Sequence, residues 1–163
     1  MLTYRQEVAS RIPHDRQAVG VEVGVWHGGL SRYMLTKRPL LTLHMVDPWQ
    51  SERRTELWNQ ESCDAARRDA YRVARKFSSR ARILEAPSNE AAAVIESNSL
   101  DFVFFDAVHT REAIAEYIVE WMPKLKVDGW YGGRDFPERW CKDLLDIRRT
   151  TARPGRDRTW FAI

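Results

Sequence analysis

The sequence predicts a doubly wound α/β domain: a mostly parallel sheet of about seven strands, with helices on both faces and a C-terminal antiparallel hairpin. Two observations predict it. Apolar periodicity switches repeatedly between two and about 3.6, so strands and helices alternate, which implies parallel pairing through right-handed crossovers. Two runs, Val19 to Val25 and Leu100 to Asp106, are almost continuously apolar, as in strands covered on both faces.

The elements follow in order. Leu2 to Ile12 reads as a helix stopped by Pro13, and Val19 to Val25 as the first strand. Gly28, Gly29 and Ser31 open a short helix with Leu30, Tyr33 and Met34 inward, before a second strand from Leu40 to Asp47. Gln50 to Asn59 is polar and irregular, suited to a flap, with Trp49 and Trp58 as aromatic plugs or stacking surfaces for an acceptor. Ala70, Val73, Ala74 and Phe77 mark an amphipathic helix whose other face is arginine-rich. Ala81 to Glu85 is a third strand, Ser88 caps a helix from Glu90 to Ile95, and Leu100 to Asp106 is the fourth strand. Ile114, Tyr117, Ile118, Trp121 and Met122 line one face of a further helix, and Gly129 to Gly133 form the fifth strand. A short helix from Glu138 to Asp146 then leads to a hairpin of Ile147–Ala152 and Arg158–Ile163, turning at Pro154-Gly155.

With 163 residues, 44% hydrophobic and 30% charged, one globular domain over residues 1–163 is expected. No apolar run is long enough to span a bilayer, and the first residues lack the pattern of an export signal, so no membrane partner and a cytoplasmic location are expected. Cys63 and Cys141 stand in no metal-like spacing and read as reduced thiols. Basic residues are unevenly placed: seven against one acid between Arg67 and Arg82, and five arginines against Asp157 between Arg148 and Arg158. Without interleaved aromatics these read first as solvated faces, and a nucleic-acid partner is not favoured. Seven tryptophans and a short sheet edge leave room for a homodimer.

In an open parallel sheet the ligand crevice lies beyond the carboxyl ends of the strands, where strand order reverses. The first strand ends in Glu22-Val23-Gly24-Val25-Trp26-His27-Gly28-Gly29, where glycines permit a tight turn and close approach of a ligand. A dinucleotide fingerprint would need glycine where Trp26 stands, which disfavours NAD, and no phosphate-cradling Gly-Lys-Ser/Thr sequence supports ATP or GTP.

The Glu22-x-Gly24-x-x-x-Gly28 arrangement resembles the first motif of class I S-adenosylmethionine-dependent methyltransferases. His44-Met45-Val46-Asp47-Pro48-Trp49, Leu100 to His109, and Leu125 to Trp130 are similar to that family's second strand, fourth strand and entry to strand five. The resemblance covers about residues 18–135 and returns at Thr159-Trp160-Phe161. It implies a Rossmann-like class I methyltransferase fold with S-adenosylmethionine as cofactor. Asp47 would accept hydrogen bonds from both ribose hydroxyls, and Glu22, Gly24, Trp26, Gly28, Pro48, Ser88 and Asp106 would complete the cofactor site. Within the family the chain looks most similar to macrocin-type small-molecule O-methyltransferases, which share Asp-x-x-His. That likeness implies Asp106 and His109 as catalytic residues, His109 being the general base, and a magnesium site of Asp106 and Asp135. Arg134 departs from it, standing where that subfamily has a second acid, and Phe136 replaces the asparagine of catechol-type enzymes.

A neutral histidine suits the base role, because its ordinary pKa near 6.5 lets it accept a hydroxyl proton at cellular pH. His27 is the next candidate. O-methylation of a small hydroxylated molecule is the leading expectation. A nucleic-acid methyltransferase or RNA-binding protein using the arginine-rich helix is one alternative, and a cofactor-binding protein without catalysis another.

Overall fold

The computed structural model describes residues 3–50, 59–108, 110–134, 153–154 and 159–162. Strands Ala18–Val23 (β1), Leu41–Val46 (β2), Ala81–Leu84 (β3), Leu100–Phe105 (β4) and Leu125–Gly133 (β5) are joined by Arg153–Pro154 (β6) and Trp160–Ala162 (β7). They form one seven-stranded sheet in the order β3-β2-β1-β4-β5-β7-β6. The first five pair in parallel, and β7 runs antiparallel to both β5 and β6. The expected class and the closing antiparallel pair are therefore present. Order reverses between β1 and β4, which places the crevice at their carboxyl ends.

Helices Tyr4–Arg11 (α1), Gly29–Lys37 (α2) and Gln60–Phe77 (α3) cover one face, and Ser88–Ala93 (α4) and Arg111–Trp121 (α5) the other. The pleat explains the partition: Phe102 and Phe104 of β4 join the first core with Met34, Leu43 and Ala66, while Val103 and Phe105 join the second with Ile114, Ile118 and Trp121. All six residues of β4 are buried, as its almost continuous apolar run requires. Gly20 lies opposite Phe102 in register, and a Cβ there would fall 2.1 Å from the ring, so glycine makes room for the Phe102–Trp130 stack at 4.9 Å.

One buried charge holds the other end of the sheet. Asp101, 4% exposed, accepts from Arg16 Nη1 at 2.7 Å, Val19 N at 2.8 Å and Lys126 Nζ at 2.8 Å. Burial alone would raise its pKa, but the bonds from Lys126, Val19 and Arg16 outweigh it and hold the carboxyl below its ordinary value.

Beyond shifts of a residue or two at element ends, the structure departs from the sequence reading at β5, Pro154 and Ser88. Strand β5 begins at Leu125, four residues before Gly129, and its pairing with β4 is irregular between Leu100 and Phe102. Pro154 lies in β6, opposite Trp160, rather than in the turn; an edge strand tolerates a residue with no N–H to donate. Ser88 begins α4 but does not cap it. Pro87 is the N-cap, and the Ser88 hydroxyl instead accepts from Trp121 Nε1 at 2.9 Å and donates to Glu120 at 3.2 Å, joining α4 to α5. The expected helix from Glu138 to Asp146, the strand Ile147–Ala152, Trp58 and Cys141 lie outside the described residues.

Candidate active site

Three acids gather at the carboxyl ends of β1, β2 and β4. Glu22 is 1% exposed and accepts a short hydrogen bond from the Ser31 hydroxyl of α2. Burial raises its pKa well above the ordinary carboxyl value; Ser31 opposes that shift, the negative charges of Asp106 and Asp47 add to it, and Arg5 opposes it. Gly24 follows, with φ of +90°. A Cβ there would fall 2.4 Å from the carbonyl oxygen of Asp106, so both the left-handed backbone and the close approach to the end of β4 require glycine. Gly24 N donates to Val46 O at 2.8 Å and Asp106 N to Val23 O at 2.8 Å, tying the three strand ends together.

The Asp47 carboxylate organises the loop after β1. Its Oδ2 accepts from Val25 N and Trp26 N, both at 2.9 Å, and its Oδ1 accepts from Trp49 N at 2.8 Å. A carboxylate offers about four acceptor positions, so about one remains for a ribose hydroxyl rather than the two expected from the resemblance. The bonds accompany unusual backbone: Trp26 and Trp49 have φ of 52° and 44°, uncommon for bulky residues. Trp49 is 2% exposed and its indole N–H donates to Trp26 O at 3.0 Å. It is a core plug that locks the loop, not a stacking surface. The Asp47-Pro48-Trp49 sequence carried a signal for this, because an aspartate bonding the N–H two residues on is a recurrent turn. Pro48 is half-buried between the two bonded residues.

Gly28, with φ of 74°, starts α2 and packs on α3, where its missing Cβ would meet Val73 Cγ2 at 3.2 Å and Ala70 Cα at 3.4 Å. His27 is engaged by α3. Its Nδ1 lies 2.7 Å from Asp69 of α3, and the side chain is 47% exposed, so it bridges loop and helix at the surface. Of the arginines on α3, Arg67 pairs with Glu85 at 2.8 Å and Arg72 with Asp69, while Arg68, Arg75 and Lys76 face solvent.

Sequence reasoning missed the cationic side of the crevice. Arg134, just beyond β5, places its guanidinium 3.6 Å from Asp106 and 4.2 Å from the centre of the Tyr4 ring. Arg5 Nε donates to Tyr4 Oη at 3.2 Å, and Arg5 Nη2 lies 3.0 Å from where a Gly29 Cβ would stand. Nothing in a local pattern joins positions 4 and 5 to 134; the contact exists because α1 packs over the strand ends. His109 and Asp135 lie outside the described residues.

The site can be tested against its implied ligands. Clustered acids, an uncapped α2 start with no acid in its first turn, and glycines at the crevice suit a cofactor with a cationic sulfonium and a carboxylate. A divalent cation fits less well. Among the described residues no group of three His, Cys, Asp or Glu side chains is placed to hold a metal ion, and an ion on Asp106 would stand beside the Arg134 guanidinium.

A family model described as a methyltransferase domain matches residues 21–136. The chain belongs to this methyltransferase family. It is an S-adenosylmethionine-dependent methyltransferase of the class I, Rossmann-like kind. Precorrin-6y C5,15-methyltransferase from Geobacter metallireducens matches with a TM-score of 0.72 at 12% identity, over 98% of this chain and 86% of that one. A Burkholderia thailandensis 1,6-didemethyltoxoflavin-N1-methyltransferase, solved with its substrate and S-adenosylhomocysteine, matches with 0.63 at 16%, over 98% and 76%. A B. subtilis tRNA methyltransferase matches with 0.64 at 16%, over 99% and 64%. No curated protein matches the methyltransferase significantly by sequence. Among its described residues, no helix is long and apolar enough to cross a membrane.

Proposed function

We propose that this methyltransferase acts on the hydroxyl of a small acceptor, in the manner of the macrocin-type enzymes its Asp-x-x-His sequence resembles. The observation that carries the reading is the junction of Gly24 with the Asp106 carbonyl, which sets the loop after β1 against the end of β4 at the point of strand-order reversal. Two reactants held side by side there need little further catalysis, because methyl transfer is dominated by positioning.

Glu22, Gly24, Trp26, Gly28, Asp47, Pro48 and Asp106 would hold the cofactor, with Ser88 supporting the crevice wall through α5. S-adenosylmethionine, when bound, supplies an electrophilic methyl group. Asp47 fixes the loop backbone and offers its remaining acceptor position to one ribose hydroxyl. Asp106 gives the crevice negative potential toward a sulfonium, and Glu22 braces the start of α2 through Ser31. His109, three residues after Asp106, takes the acceptor's hydroxyl proton, and the Asp106 charge favours the imidazolium that results. Magnesium has no part in this reading, since the cation facing Asp106 is Arg134.

Calorimetric titration with S-adenosylmethionine and S-adenosylhomocysteine, with and without magnesium, tests the site; micromolar binding unaffected by magnesium is expected. Turnover of a hydroxylated acceptor that is lost in His109→Ala completes the test, whereas unchanged turnover in that variant would reject the base. A nucleic-acid acceptor is the second reading, favoured by exposed Arg68, Arg75 and Lys76 on α3. It predicts RNA binding that weakens steeply with salt, and absent or salt-insensitive binding would remove it.

A further inference from the structure

Arg134 stands on the far side of the switch point from Asp47, one strand beyond β4. Its guanidinium lies over the Tyr4 ring, and Tyr4 is itself secured in the first turn of α1, where Thr3 and Gln6 form a reciprocal capping box. The plane of the fork is therefore set by the folded protein before a ligand arrives. The side chain is 28% exposed, enough to reach the crevice while mostly withdrawn from bulk water. A planar guanidinium with five N–H donors matches a carboxylate or phosphate in a way that a point charge does not. Its ion pair with Asp106 is long, at 3.6 Å, against about 2.7–2.9 Å for a strong charge-assisted bond.

We propose that Arg134 is a specificity-determining residue that recognises an anionic group, carboxylate or phosphate, on the methyl acceptor, and that Asp106 is the internal carboxylate exchanged for it. The inference rests on the site reading above, in which cofactor residues gather at β1 and β2 and leave the β4 and β5 ends to the acceptor. The anion need only displace a long contact, because the guanidinium is already held over the Tyr4 ring.

The test follows arginine Nε resonances in isotope-labelled full-length protein, with Arg134 assigned by Arg134→Gln. Inorganic phosphate, benzoate and uncharged benzamide are titrated before and after saturation with S-adenosylhomocysteine. Phosphate or benzoate should move the Arg134 signal saturably and benzamide should not; which anion binds more tightly distinguishes a phosphate from a carboxylate acceptor. Measured by calorimetry with the same anions, Arg134→Lys, which keeps the charge but loses the fork and the stack, should weaken binding about tenfold. Asp106→Asn should tighten it several-fold by removing the competing carboxylate, a gain that a purely structural ion pair would not give. No response to either anion, an equal response to benzamide, or weaker anion binding in Asp106→Asn overturns the inference. Calorimetry on the same samples separates the two failures. Cofactor-product binding without an anion response removes this inference alone, and absence of S-adenosylhomocysteine binding removes the site reading on which it stands.

Discussion

Replacing Asp47 by asparagine removes one charge and exchanges an acceptor for a donor where three backbone N–H groups converge. The amide oxygen can take the position of Oδ2 and still accept from Val25 and Trp26, but the NH2 group then faces the Trp49 N–H, donor against donor. Hydrogen bonds to a charged acceptor contribute about 1.5–3 kcal/mol each and neutral ones about 0.5–1.5. Weakening two and losing one would cost about 4–6 kcal/mol at full burial, and the half-buried position reduces this to about 2–3 kcal/mol. At about 2–4 °C per kcal/mol for a domain of this size, the melting temperature should fall by about 4–12 °C. Differential scanning fluorimetry measures that fall, and calorimetry with S-adenosylhomocysteine should show binding reduced along with it, because Trp49 is no longer held at positive φ. Asp47→Ala would lose all three bonds and so could not separate ribose binding from loop support, whereas the asparagine keeps two. A melting temperature within a degree of wild type, with cofactor affinity intact, would refute the claim that this carboxylate builds the loop.

Other expectations follow from the same geometry. Gly24→Ala should abolish S-adenosylhomocysteine binding and lower stability, since its Cβ meets backbone at 2.4 Å rather than a movable side chain; retained micromolar affinity by calorimetry would contradict the junction with Asp106. Because the folded pKa of Glu22 is raised, its contribution is fully present below the unfolded value near 4.3 and is lost as pH rises through the folded value. Glu22→Gln, which can still accept from Ser31, should flatten that decline in urea titrations across pH, and an unchanged slope would count against a raised pKa at this buried carboxyl. Asp101 has the opposite sign: its depressed pKa gives stability above about pH 4 that is lost as pH falls, and Asp101→Asn should remove that acid sensitivity at a cost of about 1–2 kcal/mol, discounted because Arg16 and Lys126 are 56% and 41% exposed. Ser88→Ala should leave cofactor affinity unchanged if the hydroxyl only joins α4 to α5, and a measurable loss would return Ser88 to the cofactor site.

What the sequence made legible was whatever depends on periodicity and order. The two buried runs became β1 and β4, the adjacent pair at the switch point, because strands covered on both faces carry no polar alternation. Glu22, Gly24, Asp47 and Asp106 could be found because each ends a strand, and strand ends share one edge in a parallel sheet. The proline at position 154 was misread because its turn propensity is local, whereas its place on an edge strand depends on where β7 inserts. Ser88 was misread for a similar reason: capping is a neighbour relation, but its hydroxyl was claimed by Trp121, 33 residues away. The bonds of Asp47 to Val25 and Trp26 and the Tyr4–Arg134 stack arise from chain segments far apart, which no window of sequence brings together.

The insertion of β7 between β5 and β6 bears on how this chain is made. Residues 160–162 complete the hydrogen bonding of β5, and Trp160 packs against Phe105 and Tyr131 in the second core. During synthesis the first five strands emerge well before this segment, so the outer edge of β5 waits unpaired with Tyr131 and Phe105 uncovered. Any stall or cleavage between residues 134 and 159 would therefore leave a nearly finished sheet with an open, apolar rim, a product more prone to aggregate than a shorter fragment lacking β4 and β5.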